Sequence, residues 1–173
     1  MKLNNLVKAS VFTSTAIGLG FIFLVVPNVE FISVTVFLSG ITLGTIFGAI
    51  VGASSIAVYS ILNPIGSGLA FIPLLIGQII GMMVVGIIGA LNKKILMYLP
   101  SKLLVPYSGL VGGLCAIWYD GITTISYPIS LGYGIKESLV YSLGGLFFTI
   151  MHILSNLIIF AIVVPSYLNR LVK

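Results

Sequence analysis

Few side chains in this chain can do chemistry, so each can be weighed individually. The acids are Glu30, Asp120 and Glu137, and there is one histidine, His152, and one cysteine, Cys115. A lone cysteine in an apolar run forms no internal disulfide, and a lone histidine has no companions at metal-ligand spacing. No Ser-His-Asp arrangement, no paired carboxylates on one helix, no HExxH and no phosphate loop occurs. Neither enzyme activity nor a metal or cofactor is expected. Asp120 is the most informative residue, because an ionisable group within an apolar stretch is costly in lipid and marks function by default. Gly109, Gly113, Ala116, Asp120 and Thr124 recur at spacings of three and four, which places Asp120 on the small-residue face of a helix. Such a carboxylate can hydrogen-bond a neighbouring helix, contact a ligand, or relay a proton or ion. Trp118, about 200° around the same helix, reads as an interfacial anchor. Tyr119 lies between the two faces, and its role stays open.

Glu137, Tyr141, Gly144, Phe148, His152 and Asn156 form a second stripe at helical spacing. As one continuous helix, this segment puts His152 about 22 Å from Glu137. The expectation is a buried structural histidine in the inner half, away from an external ligand, with Tyr141 and Phe148 better placed to meet one. Gln78 is an amide in an apolar run that needs partners, from another helix or from a ligand. Asn28, Glu30, Asn63, Tyr127 and Tyr133 fall in the segments between apolar stretches, and all belong to the same membrane face.

The elements that must position these residues are membrane helices. Of 173 residues, 59% are hydrophobic and 6% charged, and the mean hydropathy is +1.26. A soluble domain is about 25% charged, so a water-soluble globule is excluded. The chain suffices for about six spanning helices with short turns, which leaves no room for a nucleotide-binding module. The expected fold is all-α, a single membrane domain over residues 1–173 with six transmembrane helices. Their approximate ranges are 6–26, 30–43, 45–62, 69–91, 103–126 and 137–164. The first apolar run ends at Val26-Pro27-Asn28 without a small-x-small cleavage pattern, so it reads as a retained helix. The apolar stretch 31–62 would measure about 48 Å as one helix against a hydrocarbon core of about 30 Å. It must therefore turn back on itself, between Gly40 and Gly48. Gly40, Gly44, Gly48 and Gly52, then Gly77 and Gly81, recur every fourth position and suit close helix packing.

Orientation follows from Lys and Arg in short loops. Six spans put Lys2, Lys8, Lys93, Lys94, Lys102, Arg170 and Lys173 on one side, seven of the eight basic residues. Both termini are expected in the cytoplasm, in a multi-pass protein of the cell membrane.

The segments Pro27-Asn28-Val29-Glu30, Phe37-Leu38-Ser39-Gly40, Gly48-Ala49-Ile50-Val51-Gly52, Asn63-Pro64-Ile65-Gly66 and Gln78 with Gly81-Met82 occur in an order and spacing that resembles a substrate-binding S component of energy-coupling-factor (ECF) transporters. The resemblance covers roughly residues 9–165. It implies a high-affinity receptor for a vitamin or related micronutrient, working with a transmembrane coupling subunit and two cytoplasmic ATPases. ATP hydrolysis would belong to those partners. The ligand would sit among the outer loops and helix ends, with Asn28, Glu30, Asn63, Gln78, Tyr119, Asp120, Tyr127 and Tyr141 as candidate contacts. Many S components dock their coupling subunit through an AxxxA face on the first helix. Here Ala9, Ser10, Thr13 and Ser14 offer small-residue faces in its place. The rival expectation is a stand-alone channel or ion-coupled carrier that uses Asp120 or His152, and a third is a purely structural membrane subunit.

Overall fold

Apolar runs punctuated by Pro and Gly fold into a bundle of α-helices in the computed structural model, which describes residues 3–171. Lys2 and Lys173, counted above for orientation, lie outside the described residues. The helices are α1 (Leu3–Ile22), α2 (Ile32–Leu43), α3 (Thr45–Ile61), α4 (Ile72–Tyr98), α5 (Ser101–Ser130), α6 (Ile135–Gly144) and α7 (Leu146–Leu171). A 3-10 turn, Gly68–Ala70, precedes α4. Four helices, α1, α4, α5 and α7, are long and apolar enough to cross a membrane.

Helix α2 is the centre of the bundle. Ten of its twelve residues are buried, and it packs against α1, α3, α4 and α7. Its Phe37 ring lies 5.1 Å from that of Phe160 on α7, and both side chains are fully buried. Helices α2 and α3 meet at a corner on Gly44, whose φ of 89° and ψ of 179° suit a residue without a Cβ. On either side of the corner, Gly40 and Gly48 lie against the backbone of Gly86 on α4. Where lipid supplies no hydrophobic drive between helices, such close approach yields the dispersion contacts that hold them.

Several boundaries differ from the sequence reading, each for a local reason. The first helix stops at Ile22, four residues short of Val26, and turns through Pro27 and Asn28, which has φ 60°. The polar connection expected over 92–102 shrinks to Leu99-Pro100, because the lysines are good helix formers and the residue before a proline is pushed out of the helical region. Asn92 is held within α4, donating to the Ile88 carbonyl at 2.9 Å and accepting from the Tyr107 hydroxyl at 2.7 Å. Tyr107→Phe removes that donor between α4 and α5. Its expected cost is about 1 kcal/mol, read as a lowered midpoint of thermal unfolding in detergent.

Helix α5 continues past Ser126 through Pro128 to Ser130. The proline frees the carbonyl of Thr124, which accepts from the Ser142 hydroxyl of α6 at 3.3 Å. The last expected helix, 137–164, is two helices. It breaks at Gly145, so α6 is a separate ten-residue piece and α7 starts afresh at Leu146.

Candidate functional site

The start of α2 determines where Glu30 lies. The helix reaches only about 18 Å, its first residues Ile32 and Ser33 are already buried, and Val29, Glu30 and Phe31 ahead of them are half-buried. Glu30 is thus not on an outer surface loop, where the sequence reading put it. The free backbone N–H groups of the first turn of a helix favour an anion, and Glu30 Oε2 accepts from the Ser33 N–H at 2.9 Å.

The break at Gly145 determines where His152 lies. Counted from Leu146, His152 is only about 9 Å into α7, so the expectation that it sits deep and apart from a ligand is corrected. Its Nδ1 lies 2.8 Å from Asp120 Oδ1 on α5, and its Nε2 lies 3.6 Å from Glu30 Oε1. Two of the chain's three acids and its one histidine therefore meet, brought from α5, α7 and the α1–α2 connection. With a carboxylate facing each ring nitrogen, an imidazolium can present N–H to both. A neutral ring would turn a lone pair towards one of them.

The side chains of His152 and Asp120 keep 10% and 13% of their surface exposed, and Glu30 keeps 24%. Glu30 Oε1 and Asp120 Oδ2 are nonetheless buried without a hydrogen-bond partner among the described residues. Buried carboxylate oxygens left in this state are uncommon and costly.

Both carboxylates border a cavity of about 290 Å³, walled by Phe23, Tyr59 and Tyr119, with Asn28 at its rim. Gly20 forms part of that wall, and a Cβ there would press on Ile32 and Tyr59. A second cavity of about 220 Å³ shares Asn28, Asp120 and His152 with the first and is otherwise lined by Thr124, Gly145, Phe148 and Thr149. A third, apolar, of about 260 Å³ separates α5 from α6 and α7, and also borders Asp120. The Tyr119 ring meets the His152 ring edge-on, with centroids 6.3 Å apart.

Of the sequence-derived candidates, Asn28, Glu30, Tyr119 and Asp120 line the first of these cavities. Gln78 stands behind it, accepting from Ser60 at 2.7 Å and adjoining the Tyr119 hydroxyl. The remaining three lie elsewhere. Asn63 caps its own turn, accepting from the Ile65 N–H at 2.9 Å. Tyr127 and Tyr141 join an aromatic cluster with Phe71 and Tyr133, at centroid separations between 5.5 and 6.1 Å. Tyr59 and His152 belong to the site without having been among the candidates. The Gly144-Gly145 pair was the available signal for His152, because a break there resets its depth. No local pattern in the sequence marked Tyr59.

On α1, Ala9 is buried and Thr13 Oγ1 lies 3.2 Å from Ser54 Oγ of α3, so these two serve the bundle's own packing. Ser10 and Ser14 are exposed. Among the described residues, no three His, Cys, Asp or Glu side chains converge as metal ligands. In the cluster His152 stands between the carboxylates, and its nitrogens point apart.

Removing the imidazole tests the electrostatics directly. His152→Phe leaves two buried carboxylates without a counter-charge, which costs about 3 kcal/mol or more. The expected result is a marked drop in unfolding temperature, partly restored by adding Glu30→Gln. An unchanged midpoint in the single variant would show that the carboxylates do not depend on His152.

No protein-family model matches this chain, and no curated protein or solved structure matches it.

Proposed function

We propose that this protein is a membrane-embedded receptor for a small solute, of the kind the S components of ECF transporters represent. The observation that carries this reading is the convergence of Glu30, His152 and Asp120 on one cavity in a chain that is only 6% charged. Ionisable groups in an apolar bundle are costly and rarely retained for packing alone, and here two buried carboxylate oxygens lack a hydrogen-bond partner among the described residues. A cavity of about 290 Å³ lies at the lower end of the range for ligand sites, which suits a compact vitamin-like molecule.

In this reading all six apolar segments of the sequence are accommodated in the bilayer of the cell membrane, with α2 and α3 as a buried hairpin. Both termini and the basic ends of α4, α5 and α7 face the cytoplasm. The cavity then lies at the outer end of the bundle, beneath the segment 23–31. Chemistry is absent from the receptor, and energy comes from a coupling subunit and two ATPases. The exposed face of α1, with Ser10 and Ser14, is available for the coupling subunit.

The test is affinity purification of the full chain from its own membranes, with native mass spectrometry of the product. A bound small molecule together with a copurifying membrane subunit and ATPases supports the receptor. One observation favours a second reading. Glu30, His152 and Asp120 lie in a row, with His152 2.8 Å from Asp120 and 3.6 Å from Glu30, and could relay a proton in an ion-coupled carrier. Solute flux into liposomes driven by a pH gradient, without ATP or partners, would establish the carrier and displace the receptor.

A further inference from the structure

We propose that the cavity takes a small organic monocation, whose amidinium- or ammonium-type N–H groups pair with the carboxylates of Glu30 and Asp120. The inference deepens the receptor reading and rests on it.

The first argument is charge. The ionisable groups at the site are two carboxylates, one imidazole and the phenols Tyr59 and Tyr119. Even with His152 as the imidazolium, the cluster carries a formal charge of −1, and no Lys or Arg among the described residues lines the cavity. An uncompensated charge is expensive in an apolar bundle, and a bound monocation brings the sum to zero. An anionic solute would add a second unpaired negative charge.

The second argument is hydrogen bonding. Glu30 Oε1 and Asp120 Oδ2 are acceptors without donors, and a carboxylate can only accept. His152 has two N–H groups at most. One is committed to Asp120 at 2.8 Å, and the other stands 3.6 Å from Glu30, too far for a hydrogen bond. A solute bearing N–H groups can supply the missing donors. Charged N–H donors make the shorter and stronger bonds to carboxylate.

The third argument is the wall. Phe23, Tyr59 and Tyr119 line the cavity beside the carboxylates, and a cation gains from neighbouring aromatic rings as well as from an anion. A bare inorganic cation would leave that wall unused. It would also need several oxygens converging on one point, and here an imidazole separates the two carboxylates.

Three probes of nearly one shape and different charge test the inference: benzamidinium, benzamide and benzoate, titrated at neutral pH into the full-length protein in lipid nanodiscs. Benzamidinium is expected to bind at least about 10-fold tighter than benzamide, the margin of a charge-assisted hydrogen bond over a neutral one. Benzoate is expected not to bind. Glu30→Gln should bring benzamidinium and benzamide close to parity, but the wild-type ranking suffices if that variant folds poorly. Equal or tighter binding of benzamide or benzoate, or no binding of benzamidinium, overturns the proposal. The receptor reading is judged separately. A copurified solute that is neutral or anionic overturns the cation and keeps the receptor. A preparation with neither solute nor coupling partners, active in liposomes alone, overturns the receptor itself.

Discussion

Asp120→Asn is expected to lower solute affinity about 10- to 100-fold while the protein remains folded. The substitution preserves shape but exchanges a carboxylate that accepts from His152 at 2.8 Å for an amide without charge. A hydrogen bond to a charged group contributes roughly 1.5–3 kcal/mol, and that range sets the fold-change. The folding prediction rests on the helix around it. Gly109, Gly113 and Ala116 are buried on the same face, and their packing does not involve the carboxylate. Binding by calorimetry and unfolding by differential scanning fluorimetry separate the two effects. Unchanged affinity for the copurified solute would mean that Asp120 serves the His152 pair alone and that the solute sits elsewhere.

Gly86→Val should have the opposite profile, with loss of folded protein before any question of binding arises. A Cβ at Gly86 would run into the backbone of Gly48, and the neighbouring Gly40 packs against the Gly86 carbonyl itself. The obstructing atoms are backbone, so no rotamer change relieves the clash. Helices α2 and α3 would have to separate from α4. Overpacking a core costs about 1–3 kcal/mol where side chains can shift, and here more is expected because main chain must move. The measurement is the yield of monodisperse protein on size exclusion in detergent. Gly18→Ala provides the control. A Cβ there meets nothing within 4 Å, and replacing glycine within a helix favours folding by up to about 1 kcal/mol. Normal yield and midpoint for Gly86→Val would show that the three glycines are not in close contact.

The fold was legible wherever the sequence carried a length or composition constraint. An apolar stretch too long to cross once had to turn, and the structure turns at Gly44. The inward face of α5 followed from the three- and four-residue spacing of its small residues, with no knowledge of what they touch. Helix ends were less legible, because prolines act according to their surroundings. Pro27 follows a helix that has already ended at Ile22, Pro100 lies between two helices, and Pro128 lies inside one, where Ser142 of α6 supplies a donor to the freed carbonyl.

The sequence by itself determined that the chain is apolar and helical, and that its rare ionisable groups had to be accounted for. It also determined that Asp120 faces other helices. Those conclusions rest on composition and periodicity, which are properties of a chain read one segment at a time. Only the tertiary structure decided that Glu30, His152 and Asp120 are neighbours. Their separations along the chain are long, and two breaks in regular structure bring them together: α2 starts inside the bundle, and α7 restarts after Gly145. The physical reason is that depth in a membrane bundle is measured from where each helix begins, and packing sets that starting point.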